Sequence, residues 1–276
     1  MLMGFIGLPI SVALYWLMLR PKKETPFPKG GLLCLVIAAV ICVILSSILS
    51  MPISIIVEIF RTGAFMDLPG LIKTLQNDPG AFKEMMDSTR GGLLSMTIWA
   101  MIDMFFAAGL LEEGLKYLTC RFAIRKEGMI CTWMDAVIAF SVVGITFELL
   151  ENIAFGAGSD FLSAFVRALA PAHFVFGVIM GYFYGKSLVT GKKRYRLLSF
   201  LVPLLYHSVS NGFMSTMSLS KVNNNLGFVF AISLIIAGVL TIITVIFWQK
   251  NKTLDVPIQQ KSHPVSEQLQ MKHLCE

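Results

Sequence analysis

Seven stretches of the sequence are apolar for long enough to cross a bilayer, at roughly 2–19, 31–59, 92–119, 133–156, 161–187, 197–219 and 225–248. A spanning helix needs about 20 mostly apolar residues, and inside the bilayer each backbone N–H and C=O must find its partner within the segment itself. The fold class follows: all-α, a polytopic membrane helix bundle of about seven transmembrane helices enclosing a buried polar catalytic cavity. Composition agrees, with 55% hydrophobic and only 14% charged residues, where about a quarter of a soluble chain is charged. The first run lacks a basic leading region and a small-residue cleavage site, so it reads as a span and not a secretory signal. A net charge of +6 does not point to nucleic acid, because most lysines and arginines lie in short segments between apolar runs.

Those basic residues orient the chain. Arg20, Lys22, Lys23 and Lys29 follow the first span, Arg121, Arg125 and Lys126 the third, Lys192, Lys193, Arg194 and Arg196 the fifth, and Lys250, Lys252, Lys261 and Lys272 the seventh. The opposite connections carry no basic residue between spans four and five and only Lys221 between six and seven. The positive-inside rule predicts the N-terminus outside and the C-terminus cytoplasmic, in a bacterial or archaeal cell membrane. The segment from Arg61 to Arg90 breaks the pattern with four basic residues, accompanied by Asp67, Asp78, Glu84 and Asp87, and with its Pro-Gly turns it is predicted to hold short interfacial helices. Residues 1–249 form the membrane-embedded part, with its motif core at 92–219, and 250–276 read as a mobile polar cytoplasmic tail. Cys34 and Cys42 fall within the second span and Cys120, Cys131 and Cys275 on the cytoplasmic side, so no disulfide framework is expected.

Ionisable groups within spans are costly and usually face the bundle interior, which makes each a candidate for function. Span three carries Asp103, Glu112, Glu113 and Lys116; span four Glu148, Glu151 and Asn152; span five Arg167 and His173; span six His207 and Asn211. Lys116 stands four residues after Glu112 and three after Glu113, so it can neutralise one carboxylate and leave the other for general-base work. The plainer reading of these three is an interfacial ion pair with a snorkelling lysine. For Asn152 it is an interhelical hydrogen bond, and for the neighbouring glutamates a partner for Arg167. Pro171 and Pro203 stand just before His173 and His207, and such prolines free backbone groups that need polar partners. At about 1.5 Å per residue, Glu112 lies about 11 Å from the cytoplasmic face, His207 about 15 Å, His173 and Asn211 about 21 Å and Glu151 about 22 Å. Four helices thus deliver polar groups to the middle of the membrane.

Taken in order, EExxK (Glu112, Glu113, Lys116), FxxxEN (Phe147, Glu151, Asn152), His173 and HxxxN (His207, Asn211) resemble the PrsW family of intramembrane proteases. That family is grouped with the CAAX prenyl endoproteases and bacteriocin-processing enzymes, and the resemblance covers roughly residues 92–219. CAAX enzymes have a histidine where this chain has Glu151, and Glu148 is a charge outside the pattern. The resemblance implies an endopeptidase acting on a membrane-anchored protein within the lipid bilayer, an anti-sigma factor or similar regulator being one candidate. It implies Glu112 or Glu113 as general base, Glu151 and His173 holding the water or a metal, and His207 with Asn211 stabilising the oxyanion. Lys116, Phe147, Asn152 and Arg167 would support them. Two histidines and one carboxylate (His173, His207, Glu151) match a catalytic site for a divalent metal such as zinc, with one position open for water. The soluble HExxH spacing is absent, and a metal-free glutamate mechanism is the other option. A proton- or ion-coupled carrier would use similar buried groups, although no inverted repeat is visible. A non-catalytic scaffold of the same superfamily would be expected to lack part of this set.

Overall fold

Each apolar run becomes a helix in the computed structural model, which describes residues 2–23, 25–77, 80, 92–156, 158–220 and 225–258. The helices are α1 (Leu8–Leu19), α2 (Gly31–Thr62), α3 (Leu68–Asn77), α4 (Leu93–Met104), α5 (Gly114–Ala123), α6 (Trp133–Gly156), α7 (Phe161–Leu169), α8 (Ala172–Thr190), α9 (Lys193–Ser220) and α10 (Asn225–Lys250). A π-helical segment, Phe105–Glu113, joins α4 to α5. Seven helical stretches among the described residues are long and apolar enough to span a membrane, in the places read from the sequence. The chain is an integral membrane protein. Helix α3 falls in the segment expected to hold interfacial helices; residues 78–79 and 81–90 of that segment lie outside the described residues.

Two units emerge from the chain's contacts: Met1–Ile44 with Glu113–Pro203 and Ala231–Glu276, and Leu45–Glu112 with Leu204–Phe230. The first is organised around α6. Within this span 83% of the apolar window is buried, against 17–56% in the other six, and its residues from Met134 to Glu148 are buried without a break. A helix buried on all sides needs no amphipathic stripe, which is why its sequence is mostly apolar on every side between Asp135 and Glu148.

Small residues set how closely α8 approaches α6. Gly177, Gly181 and Gly185 recur every four residues, so they form one stripe. A Cβ at Gly177 would stand 2.6 Å from the Phe140 carbonyl oxygen, and one at Gly181 2.6 Å from that of Ala136. From the other side, a Cβ at Gly144 would stand 2.3 Å from the His173 carbonyl oxygen. Small residues repeated in this way let helix backbones touch in a membrane, where dispersion and close packing drive association. Gly181→Leu is therefore expected to lower the stability of detergent-purified protein by about 1–3 kcal/mol or more, seen as a lower melting temperature. Gly158→Leu, at a site with nothing within 4 Å of the added carbon, should leave it unchanged.

The start of α6 shows how its unpaired N–H groups are met. Thr132 and Asp135 form a capping box: Thr132 Oγ1 accepts the Asp135 N–H at 3.2 Å, and Asp135 Oδ2 accepts that of Thr132 at 2.9 Å. Asp135 Oδ1 holds Lys22 at 2.8 Å. Past Lys250 the described residues, through Ile258, return to this point. Trp133 N–H donates to the Val256 carbonyl at 3.0 Å, Met134 N–H to that of Leu254 at 2.9 Å, and Ile258 N–H to that of Cys131 at 3.0 Å. Leu254 is buried; the rest of the tail lies outside the described residues. Cys131 is disulfide-bonded, contrary to the expectation that none would form, and its partner is not among the described residues. Cys34, Cys42 and Cys120 are free thiols.

The second unit holds the later turns of α2, α3, α4, most of the π segment and the later turns of α9. Close approach again depends on glycine. A Cβ at Gly109 would stand 2.9 Å from the Leu204 carbonyl oxygen, and one at Gly212 3.0 Å from Met101 Cα. Glu58 takes Arg61 in a two-point contact at 2.6 and 2.7 Å.

Orientation can be tested at the two ends of span five. Gly191 closes α8 with a left-handed backbone, φ 67°, where any side chain is strained, so the probe belongs on its neighbour. In a background without native cysteines, Lys192→Cys is expected to resist a membrane-impermeant thiol reagent in intact cells and Ser159→Cys to react. The opposite labelling would invert the proposed orientation.

Candidate active site

His173 is the centre of a hydrogen-bonded cluster in the first unit. It is 4% exposed and sits in the first turn of α8, immediately after a break in span five. Pro171 makes the break. Its ring carries no N–H and disfavours helix at the preceding residue, so α7 ends at Leu169 and Ala170 leaves the helical region, φ −108°, ψ 73°.

Both ring nitrogens of His173 are engaged. Nδ1 lies 2.7 Å from Lys116 Nζ, and Nε2 lies 2.7 Å from Glu151 Oε2. A charged lysine can only donate, so Nδ1 accepts and the ring proton is assigned to Nε2, which donates to Glu151. Lys116 Nζ also donates to Glu113 Oε1 at 2.6 Å and stands 4.1 Å from the centre of the Phe147 ring. That ring packs edge-on against the imidazole, centroids 4.7 Å apart. Glu113 and Lys116 are both buried, at 0% and 3% exposure. Of the two glutamates that the sequence places within reach of the lysine, Glu113 is held by it at 2.6 Å.

Arg167 closes the outer side. Its Nη2 lies 2.7 Å from Glu151 Oε2, and its Nε donates to Asn152 Oδ1 at 2.7 Å. Both plainer readings of the FELLEN stretch are therefore present in the structure. Glu148, to which the sequence reading assigns no role, is buried as well. Its Oε2 accepts the backbone N–H of His173 at 2.8 Å, and its Oε1 accepts from Asn152 Nδ2 at 3.3 Å. The first unit thus gathers Glu113, Lys116, Phe147, Glu151, Asn152, Arg167 and His173 from the sequence-predicted set, and adds Glu148.

The second unit carries the others. Asn211 Nδ2 donates to His207 Nε2 at 2.9 Å, one helical turn apart as the HxxxN spacing requires, which leaves the ring proton on Nδ1. His207 is buried, as are Ser208 and Ser210, whose hydroxyls bond back to the Leu204 and His207 carbonyls at 2.7 and 3.0 Å. Glu112 ends this unit's portion of the π segment. Such segments inside α-helices occur frequently at functional sites.

A polytopic helical membrane protein with carboxylates, an imidazole and compensating cations buried in its spans belongs to the class in which intramembrane charge carries function. Comparison with known sequences narrows the class. A family model described as PrsW family intramembrane metalloprotease matches residues 30–248, and the chain belongs to that family. It is 30% identical over 164 residues to a Protease PrsW of Oceanobacillus iheyensis, covering 58% of this chain and 70% of that one. It is 34% identical over 111 residues to a Protease PrsW of Geobacillus kaustophilus, covering 39% of this chain and 49% of that one. It is 32% identical over 119 residues to a Protease PrsW of Bacillus subtilis, covering 41% and 55%. The chain thus spans about half the length of the last two. No solved structure matches it.

The family description names a metalloprotease, so the first unit can be tested as a metal site. Its donors, carboxylate oxygens and imidazole nitrogen, are of the type that zinc takes. Their arrangement is not that of a loaded site. The Nδ1 lone pair of His173 points at an ammonium, Nε2 carries a proton held by Glu151, and Lys116 Nζ occupies the place of a cation between Glu113 and His173. A metal at His173 requires Lys116 to leave or Nε2 to lose its proton. Glu113 and His173 are buried donors of the kind a metal takes, their hydrogen bonds here run to Lys116 and Glu151, and no step is derived through a metal.

Proposed function

We propose that this chain is an intramembrane endopeptidase that hydrolyses a peptide bond of a membrane-anchored protein, with Glu112 as general base. The observation that carries the choice of base is the Lys116–Glu113 contact at 2.6 Å. One glutamate of the pair is committed to an ammonium, which lowers its basicity, and its neighbour takes the proton of the attacking water. Glu151 orients that water, and His173, held in a single tautomer by Lys116 and Glu151, fixes where the Glu151 carboxylate stands. Asn211 does the same for His207, whose Nδ1–H and the remaining amide hydrogen of Asn211 serve as donors to the oxyanion. The protonated Glu112 then returns its proton to the leaving amine. By resemblance, an anti-sigma factor or similar signalling regulator is a candidate substrate.

The test uses purified protein in detergent micelles with single-span membrane proteins from the same cell. Cleavage within or beside a span is expected. No cleavage, together with proton uptake when the protein is reconstituted in vesicles under a pH gradient, would replace the protease with a carrier.

A further inference from the structure

We propose that Glu148 is a positioning residue that sets the place of His173 by capping the broken helix on which it rides, an inference that rests on the protease reading. Three observations converge on it. First, the break before α8 leaves first-turn N–H groups without partners inside the helix, and the residue preceding that turn, Pro171, has no side-chain hydrogen bond to offer. The acceptor comes from another helix: Glu148 Oε2 takes the His173 N–H at 2.8 Å, and a carboxylate suits the positive end of a helix dipole.

Second, the contact depends on how closely the two helices pass. Gly144 lies one turn before Glu148 on α6, and a Cβ there would stand 2.3 Å from the His173 carbonyl oxygen. The same close approach brings the Glu148 carboxylate to the His173 backbone. Third, Glu148 belongs to a closed ring of side chains. Asn152 Nδ2 donates to Glu148 at 3.3 Å, Arg167 Nε donates to Asn152 at 2.7 Å, Arg167 Nη2 pairs with Glu151 at 2.7 Å, and Glu151 holds the His173 ring at 2.7 Å. His173 is therefore gripped twice, at its backbone by Glu148 and at its imidazole by Glu151, and Asn152 and Arg167 join the two carboxylates. The imidazole fixes the Glu151 carboxylate in turn, and a carboxylate that must meet a reacting water within a fraction of an ångström needs both holds on the histidine beneath it.

The experiment compares wild type, Glu148→Leu and Glu148→Gln, each purified in detergent, by hydrogen exchange of the first turn of α8 and by cleavage kinetics. Glu148→Leu removes the acceptor. The His173 amide is expected to exchange about 10-fold faster or more, with wild-type protection elsewhere in α6 and α8. The turnover number of the folded protein is expected to fall on the order of 10²-fold, with KM unchanged because Glu148 does not touch substrate. Glu148→Gln keeps one oxygen for the His173 N–H and should recover most of the protection and part of the turnover; it also serves if the leucine variant does not fold. Wild-type exchange in that turn, or faster exchange throughout α6 with normal turnover of the folded fraction, would overturn the proposal. If wild type itself cleaves nothing, the protease reading fails and the exchange arm alone decides whether Glu148 fixes His173.

Discussion

Glu112→Gln is expected to keep the fold and lose about 10²- to 10⁴-fold of the cleavage rate, the range for removal of a general base. The substitution preserves shape and deletes only the charge and the basic oxygen. Glu113→Gln should behave differently even though it is the adjacent residue. Glu113 is the buried partner of Lys116 at 2.6 Å, so its loss removes the carboxylate that offsets a buried ammonium, and the variant should be unstable before it is inactive. The pair of variants therefore separates chemistry from folding. If Glu113→Gln is stable and inactive while Glu112→Gln is stable and active, the roles assigned to the two glutamates are reversed.

Lys116→Met carries the largest expected effect on stability. Breaking a buried ion pair from one side leaves an uncompensated charge and costs about 3–5 kcal/mol; here Lys116 is 3% exposed and Glu113 not at all. The substitution also removes the donor to His173 Nδ1 and the cation over the Phe147 ring. Melting in detergent should show the loss. The double variant Lys116→Met, Glu113→Gln should recover most of it, because replacing both charges of a buried pair is commonly close to neutral. A single variant with wild-type stability would mean that Lys116 reaches solvent or lipid headgroups in the working protein, as the snorkelling reading supposes.

The spans were legible because the bilayer imposes one demand, about 20 apolar residues, that local composition answers. What the sequence reading missed depends on neighbours. The glycines at 177, 181 and 185 were visible as a repeat of small residues, and their spacing announces a close helix contact; which helix they meet was not visible. Thr132 and Asp135 spell a capping box in plain order, yet the remaining N–H groups of α6 are met by residues 254 and 256, which no local pattern foretells. Pro171 announces a break within span five. The π segment through Glu112 and Glu113 has no comparable signature. The residues around His173 stood out as polar groups inside spans, but spacing alone gave Lys116 two glutamates to choose from, at three and four residues. Glu148 escaped because its function is to reach the backbone of a helix 25 positions further on, a relation that exists only once α6 and α8 have crossed.

The central claim is that these buried carboxylates and imidazoles cut peptide bonds in membrane-anchored proteins. The most direct measurement maps new peptide termini by mass spectrometry in membranes of cells producing wild-type protein or Glu112→Gln at equal levels. New termini within or beside the spans of one or a few membrane-anchored proteins are expected with wild type and absent with the variant. The same set of termini from both would contradict the account.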